Sequence, residues 1–218
     1  MEIQSGLRER KKKRTRLTIL ETAKQLFLEH GFDNVSVAEI AREAEVSEAT
    51  VFNYFPTKED LVYHGLETFE TELLAAISQR PIGDSVLDAF GHFVIEPRGL
   101  LAAEDKASQA ALLSITRMIA TSPTLLARQR QILASYTESV ASLLQEETGA
   151  NPQAIEPWIV ASTLVGFHGT LIDYVHRRLL EGTSDLSNLA NDLRREGEKA
   201  LQLLRGGLSN YAVKEQRD

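Results

Sequence analysis

The side chains with chemistry to offer are the histidines, carboxylates and serines, because the chain has 5 His, 31 Asp and Glu, and no cysteine. Asp173 and His176 stand three residues apart, a spacing that on a helix turns a carboxylate and an imidazole to one face, as two metal ligands require. No third ligand converges with them, and an open metal site needs one, so a polar interface pair is expected, with no metal and no cofactor. His92 and His168 are expected to be core or pocket histidines. Ser114, Ser135 and Ser162 sit in no nucleophile motif, and no glycine-rich phosphate loop occurs. The missing cysteine excludes disulfides, thiolate metal sites and cysteine nucleophiles. No catalytic residue is expected, and an enzyme is disfavoured. A denser polar set lies in SVAEIAREAEVSEATVFNYFPTK, from Ser36 to Lys58. Thr50 and Asn53 offer hydrogen bonds suited to base edges, while Tyr54 and Lys58 can reach phosphates.

Such groups work together only if the backbone presents them together. Ser36 is placed to cap a first short helix, with Glu39 completing a capping box and Val37, Ile40, Ala41 and Ala44 on its apolar face. The chain breaks at Glu45-Val46-Ser47, and Ser47 caps a second helix through Glu48 and Ala49 to Tyr54, which Pro56 ends. Thr57 then caps a third. Two short helices joined by a three-residue turn form a helix-turn-helix, whose second helix can enter a DNA major groove.

Charge distribution agrees. The formal net charge of −7 opposes nucleic-acid binding, but Arg8, Arg10, Lys11, Lys12, Lys13, Arg14 and Arg16 face only Glu9 over residues 8–16. That local +6 leaves −13 on the rest of the chain, an arm able to grip phosphates ahead of an acidic body. Such an arm can follow the backbone or enter the minor groove.

The order and spacing of Ile19-Leu20, Ala23, Leu26-Phe27, Gly31-Phe32, Val35-Ser36-Val37, Ile40-Ala41, Ala44, Val46-Ser47, Thr50-Val51, Tyr54-Phe55 and Lys58-Glu59-Asp60-Leu61 resemble the DNA-binding domain of the TetR family of bacterial regulators. The match runs from about Thr15 to Val62. It departs at Phe52-Asn53-Tyr54, where many members have Tyr-x-Tyr or Tyr-x-His. The expected DNA-contacting set is Arg14, Ser36, Ser47, Glu48, Ala49, Thr50, Asn53, Tyr54 and Lys58. The resemblance implies a two-fold dimer on a near-palindromic operator, with a small-molecule effector held in the C-terminal region.

The elements that follow are read as helices throughout, giving an all-α fold with a DNA-binding domain over 1–62 and a ligand-binding and dimerisation domain over 63–218. Met1 to Gly6 are expected to be disordered and the tail after Leu208 frayed. One long helix is expected from Thr57 to Gln79, as the mechanical link between domains, ending at Arg80-Pro81-Ile82-Gly83. Further helices are expected over 84–95, 103–120, 124–148 (capped by Ser122-Pro123), 154–180 (opened by Asn151-Pro152) and 185–205. WIVASTLVGFHGTLIDY, from Trp158 to Tyr174, is apolar or small nearly all round, which marks a helix buried on several sides. With the amphipathic helix after it, this helix is expected to form a four-helix dimer interface using Trp158, Ser162, Val165, Gly166, Gly169, Leu193 and Leu201. Phe90, Phe93, Arg117, Met118, Tyr136, Phe167 and His168 are the expected effector lining, mostly apolar as such sites are. No uninterrupted apolar run reaches the ~18 residues of a membrane span, and a cytoplasmic protein is expected. The reading is a ligand-responsive repressor. One competing reading is a helical small-molecule sensor or carrier acting through a protein partner, which the acidic body favours and the basic arm opposes; the other is a metal-dependent helical-bundle enzyme around Asp173 and His176.

Overall fold

The helices begin where short polar side chains satisfy their first free N–H groups. Ser36 accepts from Glu39 N at 3.1 Å, Ser47 from Thr50 N at 3.1 Å, Ser85 from Asp88 N at 3.1 Å and Asp185 from Asn188 N at 3.0 Å. A computed structural model describes residues 2–103, 105–183 and 185–207, apart from the side chains of residues 2–7, 66 and 67. Regular structure among them is entirely helical: α1 (Glu2–His30), α2 (Val37–Glu43), α3 (Glu48–Tyr54), α4 (Leu66–Ser78), α5 (Val86–Ile95), α6 (Lys106–Thr121), α7 (Pro123–Thr148), α8 (Glu156–Leu180) and α9 (Leu186–Arg205), with three short 3-10 turns.

Four sequence expectations differ. The stretch from Glu2 is helical and continuous with the basic run, as Arg, Lys and Glu are good helix formers. The helix expected over Thr57–Gln79 is broken. Thr57 and Asp60 cap each other around a 3-10 turn at Glu59–Leu61 instead. Gly65 then turns the chain at φ 94°, a conformation L side chains rarely adopt, before α4 starts. Asn151 Oδ1 accepts from Gln153 N in a turn, and α8 opens later, at Glu156-Pro157. Finally, α8 is long and apolar enough, by length and composition, to cross a membrane. Ala161, Leu164, Leu171, Val175 and Leu179 are nevertheless buried, as in a core helix. The expected fraying after Leu208 lies outside the described residues.

The chain forms two compact units that are not consecutive stretches. Residues Met1–Glu67 are joined by Arg117–Gln129 in the first, while Thr68–Thr116 and Arg130–Asp218 form the second. The end of α6 and the first turns of α7 thus belong with the helix-turn-helix, where a single cut after residue 62 was expected.

In the first unit Ile19, Phe27, Phe32, Ile40, Val51, Phe55 and Leu125 are buried together with few polar intrusions. In the second, α5 packs on α8 and α9. The Leu201 side chain of α9 reaches the α5 backbone because Gly91 carries no side chain there: a Cβ on Gly91 would run into Leu201. A bidentate Arg80–Glu147 pair at 2.8 and 3.0 Å and an Arg205–Asp88 pair at 2.6 Å tie elements of this unit at its surface.

Candidate nucleic-acid interface

Val51 is buried at 1% exposure and anchors α3 to the first unit. The helical repeat then turns Ala49 and Asn53 directly outward, with Glu48 and Phe52 on one flank and Thr50 and Tyr54 on the other. Glu48, Ala49, Phe52 and Asn53 are exposed; Thr50 and Tyr54 are half-buried. The tight turn before α3 places Glu45 at φ 54° and closes through Val46 N donating to Ala41 O at 2.9 Å. Thr50 Oγ1 lies 2.8 Å from Ser47 Oγ, so its hydroxyl is already engaged at the helix cap. Ser36 and Ser47 cap the starts of α2 and α3.

The basic run lies alongside this helix. Arg8, Glu9, Lys11, Lys12 and Thr15 of α1 form one wall, and Thr50, Asn53 and Tyr54 the other, of an open cleft of about 830 Å³. A cationic wall facing neutral donors and acceptors suits a phosphate backbone against the first and base edges against the second. Arg10, Lys13 and Arg14 lie on another, open side of α1 with Leu17, Thr18 and Glu21. Arg14 is therefore not brought to the cleft. Arg16 is also drawn inward, its guanidinium 5.0 Å over the Phe55 ring.

Lys58 differs from expectation. Its ammonium donates to Phe32 O at 2.9 Å and Val35 O at 3.0 Å and sits 4.1 Å over the Phe32 ring. It clamps the α1–α2 connection and so positions the reading head. Lys58→Met is expected to lower unfolding stability by about 2 kcal/mol or more, the worth of charge-assisted hydrogen bonds left unmade. Urea titration checks this. A pure phosphate contact would leave stability unchanged and lower the salt slope of DNA binding by about 1.

The segment 117–129 is pinned within the same unit by polar contacts. Ser122, 1% exposed, donates to Asp33 Oδ1 at 3.0 Å; Tyr63 OH donates to Leu125 O at 2.9 Å; Arg128 donates to Asp60 Oδ1 at 2.8 Å. These meet the loops on either side of the helix-turn-helix.

The expected effector lining is only partly assembled. Phe93, Tyr136 and His168 gather around Phe69, at centroid distances of 5.3, 5.7 and 5.0 Å, and the Arg98 guanidinium lies 3.9 Å over Phe93. Phe69, which sequence reading placed on the linking helix and in no site, is the ring at the centre of this group. Phe90, Tyr136 and Phe167 are all buried in the core of the second unit, while Arg117 (exposed) and Met118 belong to the first unit.

Burial lowers the His168 pKa to about 4, and its Nδ1 has no hydrogen-bond partner among the described residues. Below about pH 6.5 the unfolded chain takes up a proton that folded His168 refuses, so stability is lost as pH falls from there toward 4. The loss is expected to reach at most about 3 kcal/mol, and His168→Phe to remove most of it in urea titrations at stepped pH.

Along α8, Trp158, Ser162 and Gly166 are exposed and Gly169 half-buried, with Ile155 at 66% and Ile159 at 57% exposure on the same side. Val165, Leu193 and Leu201, by contrast, are at most 4% exposed within the chain. They pack the protomer because α9 lays its apolar face on α5 and α8. Asp173 is exposed and His176 half-buried; burial lowers the His176 pKa against the opposing pull of Asp173. Among the described residues no further ligand-type side chain joins them.

Residues 19–64 match the model of the bacterial regulatory proteins of the tetR family. Over 84 residues the chain is 37% identical to the HTH-type transcriptional regulator TcmR of Streptomyces glaucescens, covering 38% of this chain and 37% of that protein. Over 59 residues it is 48% identical to the HTH-type transcriptional regulator LuxR of Vibrio harveyi, covering 24% of this chain and 29% of that one. The alignments thus span about a third of these curated relatives. The fold is that of native NalD, the secondary repressor of the MexAB-OprM multidrug efflux pump in Pseudomonas aeruginosa, with a TM-score of 0.53 at 20% identity over 86% of this chain and 96% of that one. Residues 19–64, which hold the helix-turn-helix, thus form a DNA-binding domain of the tetR family of bacterial regulatory proteins, in a chain whose described residues have the fold of a solved regulator.

Proposed function

We propose that the protein is a cytoplasmic, DNA-binding transcriptional repressor that grips a palindromic operator as a homodimer and is released by a small molecule. The observation that supports it best is the cleft in the first unit, where Arg8, Lys11 and Lys12 face Thr50, Asn53 and Tyr54. Cationic side chains suited to phosphates lie there beside neutral groups suited to base edges, the division of labour that specific DNA binding requires. Asn53, fully presented on α3, is the proposed base reader, since a carboxamide pairs with adenine N6 and N7.

The exposed face of α8, with Ile155, Trp158, Ile159, Ser162 and Gly166, is the proposed dimer surface. Large apolar side chains there lie beside small ones that admit a second helix. The effector is proposed to lie against Phe69, Phe93, Tyr136 and His168, whose stacked rings lie beside an unpartnered imidazole nitrogen. Its effect is a population shift limited by its differential affinity for DNA-competent and incompetent states. Nothing in this function calls for catalysis.

Fluorescence anisotropy of a labelled random-sequence duplex, titrated with the full chain at stepped salt, tests the proposal. Binding at low salt with log affinity falling linearly in log salt is expected. Indifference to duplex DNA at low ionic strength contradicts it, and points to the carrier reading that the acidic body favours.

A further inference from the structure

Phe52 is the only one of the eight phenylalanines that stands in solvent, at 46% exposure. It has no hydroxyl to offer a phosphate, and it shares its flank of α3 with Glu48, one turn earlier. The two flanks of α3 are therefore chemically unlike. Thr50 and Tyr54 turn to the cationic arm. Glu48 and Phe52 present a carboxylate and a hydrocarbon ring, the first repelling phosphates and the second gaining nothing from them. What this flank can meet favourably is a base edge, and in the major groove the apolar group that distinguishes one base is the C5-methyl of thymine.

The geometry points to Phe52 as a specificity-determining residue that packs on a thymine methyl in the duplex read by α3. This rests on the proposed entry of α3 into the major groove and adds a base preference to it. Burying the ring against the methyl removes apolar surface from water on both sides, and the methyl alone is worth about fourfold in affinity.

The probe is the duplex most enriched by the full chain from a random library, with each thymine replaced in turn by deoxyuridine, which lacks only the methyl. One thymine per half-site is expected at which the replacement weakens the wild-type chain about fourfold. F52A is expected to bind the parent duplex more weakly and to lose nothing further at that position, while F52L keeps part of the sensitivity. The inference is overturned if no thymine is methyl-sensitive or if F52A is as sensitive as wild type. It is equally overturned if folded F52A loses every duplex alike, more than one methyl contact explains. In each of those cases DNA binding by α3 stands, whereas a wild-type chain that ignores all duplexes overturns both readings.

Discussion

Replacing Arg8, Lys11 and Lys12 together by glutamine is expected to weaken binding to any duplex on the order of 10²-fold near 0.1 M salt, and to reduce the salt slope by roughly 2.7. Each phosphate contact releases counterions and contributes about 0.9 to that slope, so three lost contacts set the figure. The same three changes at Arg10, Lys13 and Arg14, on the other side of α1, are expected to do much less, because no residue of α3 lies beside them there. Anisotropy titrations over stepped salt distinguish the two triples. Equal losses would mean that the arm acts as undirected charge and that the cleft has no special part.

Gly166→Arg is expected to convert the proposed dimer to a monomer and to weaken binding to an inverted repeat by 10²- to 10⁴-fold, roughly the range gained by linking two weak sites. The reason lies in what surrounds this glycine. A Cβ built there meets nothing within 4 Å, so a larger residue is accepted by the protomer, and the chain should fold. A second helix approaching the α8 face would instead meet a bulky cation in place of a hydrogen. Sedimentation velocity at micromolar concentration, with binding to single and paired half-sites, is the check. A variant that remains dimeric moves the interface off this face of α8.

The helix-turn-helix was legible because its signals are local. Ser36 and Ser47 announce helix starts within three residues, and apolar spacing marks the buried side of each helix. What escaped notice depends on partners far along the chain. Lys58 reads as a free cation beside the motif, yet its acceptors lie 23 and 26 residues earlier. Ser122 reads correctly as a helix cap, but nothing local shows that it also donates to Asp33, 89 residues away, and draws its segment into the DNA-binding unit. Gly65 broke an expected helix because an isolated glycine in a periodic apolar pattern is compatible with both continuity and a turn.

The same limit explains the mixed placement of the interface residues. Periodicity identifies an apolar face on α9 without identifying what covers it. Leu193 and Leu201 proved to be covered by the chain itself, while Trp158 and Gly166 on α8 remain open. For the effector lining, a large apolar side chain in a helical pattern suits core and pocket alike, and Phe90 and Tyr136 are both buried in the core of the second unit.

The measurement closest to the central claim is to sequence the duplexes that the full-length protein retains from a random library, beside those retained by Asn53→Ala. Two copies of α3 reading successive major grooves predict an inverted repeat with half-sites about one helical turn, ~34 Å, apart. They also predict that the alanine variant relaxes preference at one symmetric pair of positions while keeping the repeat. Retained DNA without dyad symmetry, or the same enriched sequence for both proteins, would contradict the account.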